Sequence, residues 1–104
     1  MKTKVAISGI LGRMGKRILD LALQDKDIEV VGGLETEENA KKFPQIKGVK
    51  ISANPYEIIE NCDVLIEFSN STSASLEHAK ICVEKNKAIV IGTTGFNTEE
   101  LKTL

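Results

Sequence analysis

Apolar and polar residues follow one another along this chain in short blocks, and the blocks switch between two periods. Val5-Ala6-Ile7 is a brief apolar run suited to a buried strand. From Met14 the apolar positions fall at Met14, Ile18, Leu21 and Ala22, one face of a helix. Ile28 to Leu34, IEVVGGL, reads as a second strand, weakened as a regular edge by its glycines. The polar stretch TEENAKKFPQIKG has room for one or two helical turns, and Pro44 forbids a longer helix. VKIS, residues 49–52, is a third strand. Asn54-Pro55 opens a short helix with proline at its first position. Asp63 to Phe68, DVLIEF, is a fourth strand, and SNSTSAS is a loop rich in capping residues. The helix after it presents Leu76, Ala79 and Val83 on one face. Ala88 to Gly92, AIVIG, is a fifth strand and TTGFN a loop, after which Asn97 and Glu100 form a capping-box-like pair that starts another helix.

Strands alternating with helices predict an α/β fold: a Rossmann-like, doubly wound parallel sheet with helices on both faces and right-handed crossovers. Residues 1–104 read as one dinucleotide-binding domain. Such folds usually have six strands, whereas five are counted here, and the segment after Asn97 is short for a closing helix. The expectation is a sheet truncated before its last element or elements, with an unpaired edge and an uncovered apolar face that favour association.

Composition narrows the class. The 104 residues are 41% hydrophobic and 28% charged with a net charge of −1, an ordinary globular balance. There is no basic excess to attract nucleic acid, and no apolar stretch nears the ~20 residues of a membrane helix. The run after Met1-Lys2-Thr3-Lys4 is too short for the core of a signal peptide. Cys62 and Cys82 stand at no metal-ligand spacing and read as reduced, partly buried thiols. A cytoplasmic protein without nucleic-acid, membrane or metal partners is expected.

The candidate chemistry lies in Gly9-Ile10-Leu11-Gly12-Arg13-Met14-Gly15, a G-x-x-G-x-x-G run between a strand and a helix. The first glycine permits a sharp turn out of the strand. The second removes a side chain where backbone approaches a pyrophosphate, and the third lets the helix pack closely on the sheet. The helix start then offers N–H groups and partial positive charge to phosphates. Arg13 in the first turn opposes the helix dipole, which an anionic ligand relieves. Glu35 ends the second strand about 20 residues past the glycines, where a carboxylate grips ribose hydroxyls. The plainer alternative is a turn whose glycines serve packing, with Glu35 a surface charge. Phe68-Ser69-Asn70 and Gly92-Thr93-Thr94-Gly95 follow the fourth and fifth strands, so they share the carboxyl edge where such sheets bind ligands. A mere turn with two hydroxyl caps accounts equally for GTTG taken alone.

Together GILGRMG, LIEFSNSTSASLEHA and VIGTTGF resemble the amino-terminal half of bacterial 4-hydroxy-tetrahydrodipicolinate reductase, also called dihydrodipicolinate reductase, over essentially the whole chain. The family usually has a small residue before G-R-M-G, where this chain has Ile10-Leu11. The resemblance implies NADH or NADPH as hydride donor and a cyclic imine dicarboxylate as acceptor, in lysine and diaminopimelate biosynthesis. It implies that Gly9, Ile10, Leu11, Gly12, Arg13 and Met14 form the pyrophosphate loop and that Glu35 meets the adenosine ribose. By the same resemblance, Phe68, Ser69, Gly92, Thr93 and Thr94 line the nicotinamide side, with Thr94 nearest the substrate. The family's second domain, with a histidine pair, a lysine and a Gly-Thr substrate clamp, and through which it forms tetramers, has no counterpart here. No catalytic residue is assigned in this chain: its one histidine, His78, reads as a half-exposed helix residue. Two other readings are a stand-alone nucleotide-binding or redox-sensing module and a coenzyme A domain. The first lacks a basic stripe, and in the second Glu35 would repel a 3′-phosphate. Glu35-Thr36-Glu37-Glu38 places three carboxylates and no cation where a 2′-phosphate would lie, so NADH is expected to be preferred over NADPH, with Lys41 and Lys42 as the counterweight.

Overall fold

The structure, a computed structural model, describes residues 2–92. Its elements run β1 (Thr3–Ser8), α1 (Arg13–Gln24), β2 (Ile28–Leu34), α2 (Glu37–Lys42), β3 (Gln45–Ile46), β4 (Val49–Ser52), α3 (Pro55–Ile59), β5 (Val64–Glu67), α4 (Thr72–Glu84) and β6 (Ala88–Ile91). The strands form one sheet in the order β3-β4-β2-β1-β5-β6. Every pairing is parallel except the antiparallel β3–β4 pair. Among the described residues the sheet therefore has six strands, mostly parallel, rather than five. The extra one, β3, folds back onto β4 through Lys47-Gly48, both at positive φ (49° and 82°), the backbone that a tight hairpin turn demands. A two-residue strand in a polar segment leaves no alternation to read.

Strand alternation splits the core into two layers, one on each face. Val5 and Ile7 of β1 turn to one face with Ile10, Leu19 of α1, Val49 and Ile51. Ala6 turns to the other with Leu34, Leu65, Ile58 and Ile59 of α3, and Ile81 and Cys82 of α4. Each fully buried Leu or Ile contributes about 1.5–3 kcal/mol by leaving water. Cys62 and Cys82 are free thiols sealed in the second layer, more deeply than the partial burial expected. Burial pushes both thiols up, Cys82 to about 11.

Two helix faces depart from expectation. On α1 the buried residues are Gly15, Leu19 and Ala22, while Met14 and Leu21 are 50% and 64% exposed. Ile18, Leu21 and Ala22 instead line a shallow apolar groove with Val5, Ile28 and Ile66. On α4 the inward residues are Ser75, His78, Ile81 and Cys82, and Val83 is 76% exposed. Half of that inner face is polar, so the apolar residues alone do not mark it. The first layer is also thin over β5 and β6: Val64 and Ile66 are only partly buried and Val90 is exposed.

Candidate functional site

Strand order reverses between β1 and β5, since β1 has β2 on one side and β5 on the other. Chains leaving these two strands diverge to opposite faces and open a crevice at the carboxyl edge. Gly9 leaves β1 at φ +78°, and a Cβ there would stand 2.8 Å from Phe68 O and 2.9 Å from Ser69 N. Both the turn and the close approach require glycine. The turn is held by Gly9 N–H to Leu34 O (2.9 Å) and Gly12 N–H to Gly9 O (3.0 Å). Gly15 brings α1 against this turn: a Cβ there would lie 2.1 Å from Gly9 O. Ile10 is fully buried, so its side chain belongs to the core and only its backbone faces the loop.

Gly12 differs. It is exposed, and an added Cβ would meet only Gly9 O at 3.2 Å. Its backbone is extended (φ −73°, ψ 169°), a conformation open to any residue. Gly12 is also the N-cap of α1, without a side-chain hydrogen bond and with no acidic residue in the first turn. The other described helices are capped by Thr36, Asn54 and Ser71. The first bond of α1 is Lys16 N–H to Gly12 O (2.9 Å), so the amides of Arg13, Met14 and Gly15 leave the helix start without intrahelical partners. Glu35 reaches over this loop from the end of β2. Its Oε2 accepts from Leu11 N–H (2.8 Å) and its Oε1 from Asn39 Nδ2 (3.3 Å). A carboxylate has about four acceptor sites, so two remain. The Leu11 amide is engaged by Glu35 rather than presented to a phosphate.

The loop after β5 closes the far side. Phe68 N–H donates to Ser8 O (3.0 Å) and Gly92 N–H to Glu67 O (2.8 Å). The Phe68 ring lies so close to Gly92 that a Cβ there would stand 2.0 Å from its Cε1. Gly9, Phe68, Ser69 and Gly92 are thereby gathered at one edge, with Gly12, Arg13, Met14 and Glu35 along the same crevice. Thr93 and Thr94 lie outside the described residues.

Beneath the edge is a group that the sequence pattern did not single out. Glu67 is fully buried at the end of β5, beside His78, which is 8% exposed rather than half-exposed. Glu67 Oε2 and His78 Nδ1 are 2.5 Å apart, and Glu67 Oε1 accepts from Ser69 N–H (3.1 Å). Burial pushes the Glu67 carboxyl up, but His78, through its bond and field, with Ser69 and Ser8, outweighs this and holds it below the usual value. The available signal was the acid at an inward position of VLIE, in phase with Leu65.

Comparison with known proteins agrees with this architecture. The family model described as dihydrodipicolinate reductase, N-terminus, matches residues 3–104. The 4-hydroxy-tetrahydrodipicolinate reductase of Aquifex aeolicus is 43% identical over 98% of this chain and 42% of its own length. That of Geobacter sulfurreducens is 37% identical over 94% of this chain and 39% of its own. The chain thus spans about two fifths of these curated relatives. A solved dihydrodipicolinate reductase with bound dipicolinate, from Paenisporosarcina sp. TG-14, superposes with a TM-score of 0.80 at 28% identity, covering 98% of this chain and 41% of that one. A homoserine dehydrogenase from S. aureus shares the fold alone, with a TM-score of 0.77 at 18% identity over 98% of this chain and 28% of that one. By its match over almost every residue, the chain belongs to the dihydrodipicolinate reductase family and forms the N-terminal, Rossmann-like part of it.

Proposed function

We propose that this chain is the dinucleotide-holding part of a cytoplasmic reductase that uses NADH, or less readily NADPH, to convert 4-hydroxy-tetrahydrodipicolinate to tetrahydrodipicolinate in lysine and diaminopimelate biosynthesis. The observation that carries the reading is Gly12. Within the protein a Cβ there would press on one atom only, Gly9 O at 3.2 Å, short of the clashes at Gly9 and Gly15, and no backbone angle demands glycine, so the bare, exposed face of Gly12 suits the close approach of a group outside the chain. An uncapped helix with a basic first turn, beginning at that glycine, suits the pyrophosphate of a dinucleotide. The residues fit the group: the loop from Gly9 to Met14 would hold the pyrophosphate, and the spare acceptor sites of Glu35 would take the ribose hydroxyls. Phe68, Ser69 and Gly92, with Thr93 and Thr94, would line the nicotinamide end, Thr94 nearest the substrate. A reduced nicotinamide bound there supplies the hydride; the chain's own residues bind and orient. Substrate capture, protonation and assembly into a homo-oligomer are assigned to the part of the relatives that this chain does not span.

NADH preference follows from charge. Glu35 lies on the glycine loop, Glu37 and Glu38 open α2, and Lys42 is paired with Glu38 (3.3 Å) on the surface. A 2′-phosphate of about −1.5 to −2 charge would meet like charge there.

The test is calorimetric titration of NADH into the parent protein and Gly12→Val. The variant is expected to keep the fold and to bind NADH more weakly by at least about 2–3 kcal/mol, the scale of lost hydrogen bonds to a charged group. A folded variant with parental affinity would refute the placement of the loop.

A further inference from the structure

The crevice loops hang on one buried carboxylate. Ser8 ends β1 immediately before Gly9, Ser69 follows β5, and His78 stands on α4. Glu67 receives a hydrogen bond from each: Ser69 N–H at 3.1 Å, the His78 ring at 2.5 Å, and the Ser8 hydroxyl. An ionised carboxylate only accepts, so His78 Nδ1 carries the proton between them. Ser8 Oγ lies 3.4 Å from the same nitrogen. The main chain of Glu67 adds a fourth tie, because its carbonyl takes Gly92 N–H at 2.8 Å. The strand does not need this charge for packing. Leu65, Ile81 and Cys82 fill the same layer with apolar groups, and replacing a buried ion pair by apolar residues is commonly neutral or stabilising.

We propose that Glu67 and His78 are a positioning pair, which fixes Phe68-Ser69 and Gly92 in register with Gly9 so that the crevice accepts the nicotinamide end of a dinucleotide. The proposal rests on the dinucleotide reading above. Neither residue is assigned contact with the ligand; the pair acts through the Ser69 amide on the carboxylate, and Gly92 follows through the main-chain carbonyl of the same residue.

Three variants test it, with NADH as the probe and amide chemical shifts of Ser69 and Gly92 in the ligand-free protein as an independent readout. Asn has an N–H donor close to where His Nδ1 stands, whereas Leu fills the volume without a donor. His78→Asn is therefore expected to recover most of the parental affinity, and His78→Leu to lose about tenfold or more, the scale of a lost charge-assisted bond. A purely packing role predicts the reverse order, and that order overturns the proposal. Glu67→Leu/His78→Leu guards against misfolding, since it leaves no unpaired charge in the core. It is expected to fold, to shift both amides and to bind about tenfold or more weakly, and parental affinity in this variant also overturns the proposal. Should the amides move as described while the parent itself binds no NADH, the positioning role stands and the dinucleotide reading falls.

Discussion

Two helices start at the crevice from opposite faces of the sheet, and their starts are closed differently. α1 begins at an exposed glycine, with no side-chain cap and with Arg13 at its head; neither helix has an acid in its first turn. α4 begins at Ser71, whose Oγ accepts from Ala74 N–H at 3.1 Å, and Ser71 O takes the Ser75 amide at 3.0 Å. Its inner face then meets a carboxylate that the chain itself provides, through His78 on Glu67. Helix starts attract negative charge, so an unfilled start is a demand for an anion that the protein has not met internally. α4 is closed by its own residues and works as scaffold. α1 is left open, and the ligand is expected there.

The sharpest way to break this contrast is to fill the two glycines of α1 in turn. Gly15→Ala drives a methyl to within 2.1 Å of Gly9 O, so the helix must move off the loop. It is expected to destabilise the fold by about 1–3 kcal/mol, the range for overpacking, as well as to impair binding. Chemical denaturation checks this, and unchanged stability would mean that the loop and helix are not in contact. Gly12→Val, whose Cβ meets Gly9 O at 3.2 Å rather than 2.1 Å, is expected to cost less stability and to weaken the ligand more, which separates packing from recognition.

A second comparison concerns the ligand's own charge. At low salt NADH is expected to bind about tenfold more tightly than NADPH, or roughly 1.4 kcal/mol, with the gap narrowing as salt screens Glu35, Glu37 and Glu38. Tighter NADPH binding would show Arg13 or Lys41 reaching the extra phosphate.

The smallest expected effect lies on α4. Ser71→Ala removes the cap and should cost about 1 kcal/mol, or about 4–8 °C in Tm for a domain of this size. NADH affinity should hold near the parental value. A large fall in affinity without loss of stability would place α4 in the binding machinery and undo the contrast.

Much of this was legible beforehand, for reasons that differ by region. The strands β1, β2, β4, β5 and β6 are apolar runs bounded by glycine or polar turns, and burial in a parallel sheet produces that pattern directly. The helix start at Asn54 and the cap-rich loop before α4 follow from residue type, whereas the cap at Thr36 was not read from its polar surroundings. The glycine loop stood out because its constraint is local: each glycine answers to a neighbour only a few residues away or to a ligand. Glu67 and His78 were obscured because their constraint is mutual. Each is polar in an inward position, and only the pairing of β5 with α4 shows what satisfies it. That pairing also explains why Leu76, Ala79 and Val83 were the wrong stripe: half the true inner face is Ser75 and His78. Likewise Met14 and Leu21 promised a buried face that α1 does not have in the described residues, because nothing there covers the groove beside Ile66.

The central claim is that a dinucleotide lies across the β1–β5 crevice with its phosphates at the start of α1. Titrating NADH into isotopically labelled protein and following every backbone amide tests it most directly. The account predicts saturable shifts concentrated at Gly9 to Gly15, Glu35, Phe68, Ser69 and Gly92, with the largest at Gly12, Arg13 and Met14. The amides of Lys26, Asp27 and Lys87, at the opposite edge of the sheet, should stay still. Shifts centred on that opposite edge, or no saturable shift at the start of α1, would contradict it.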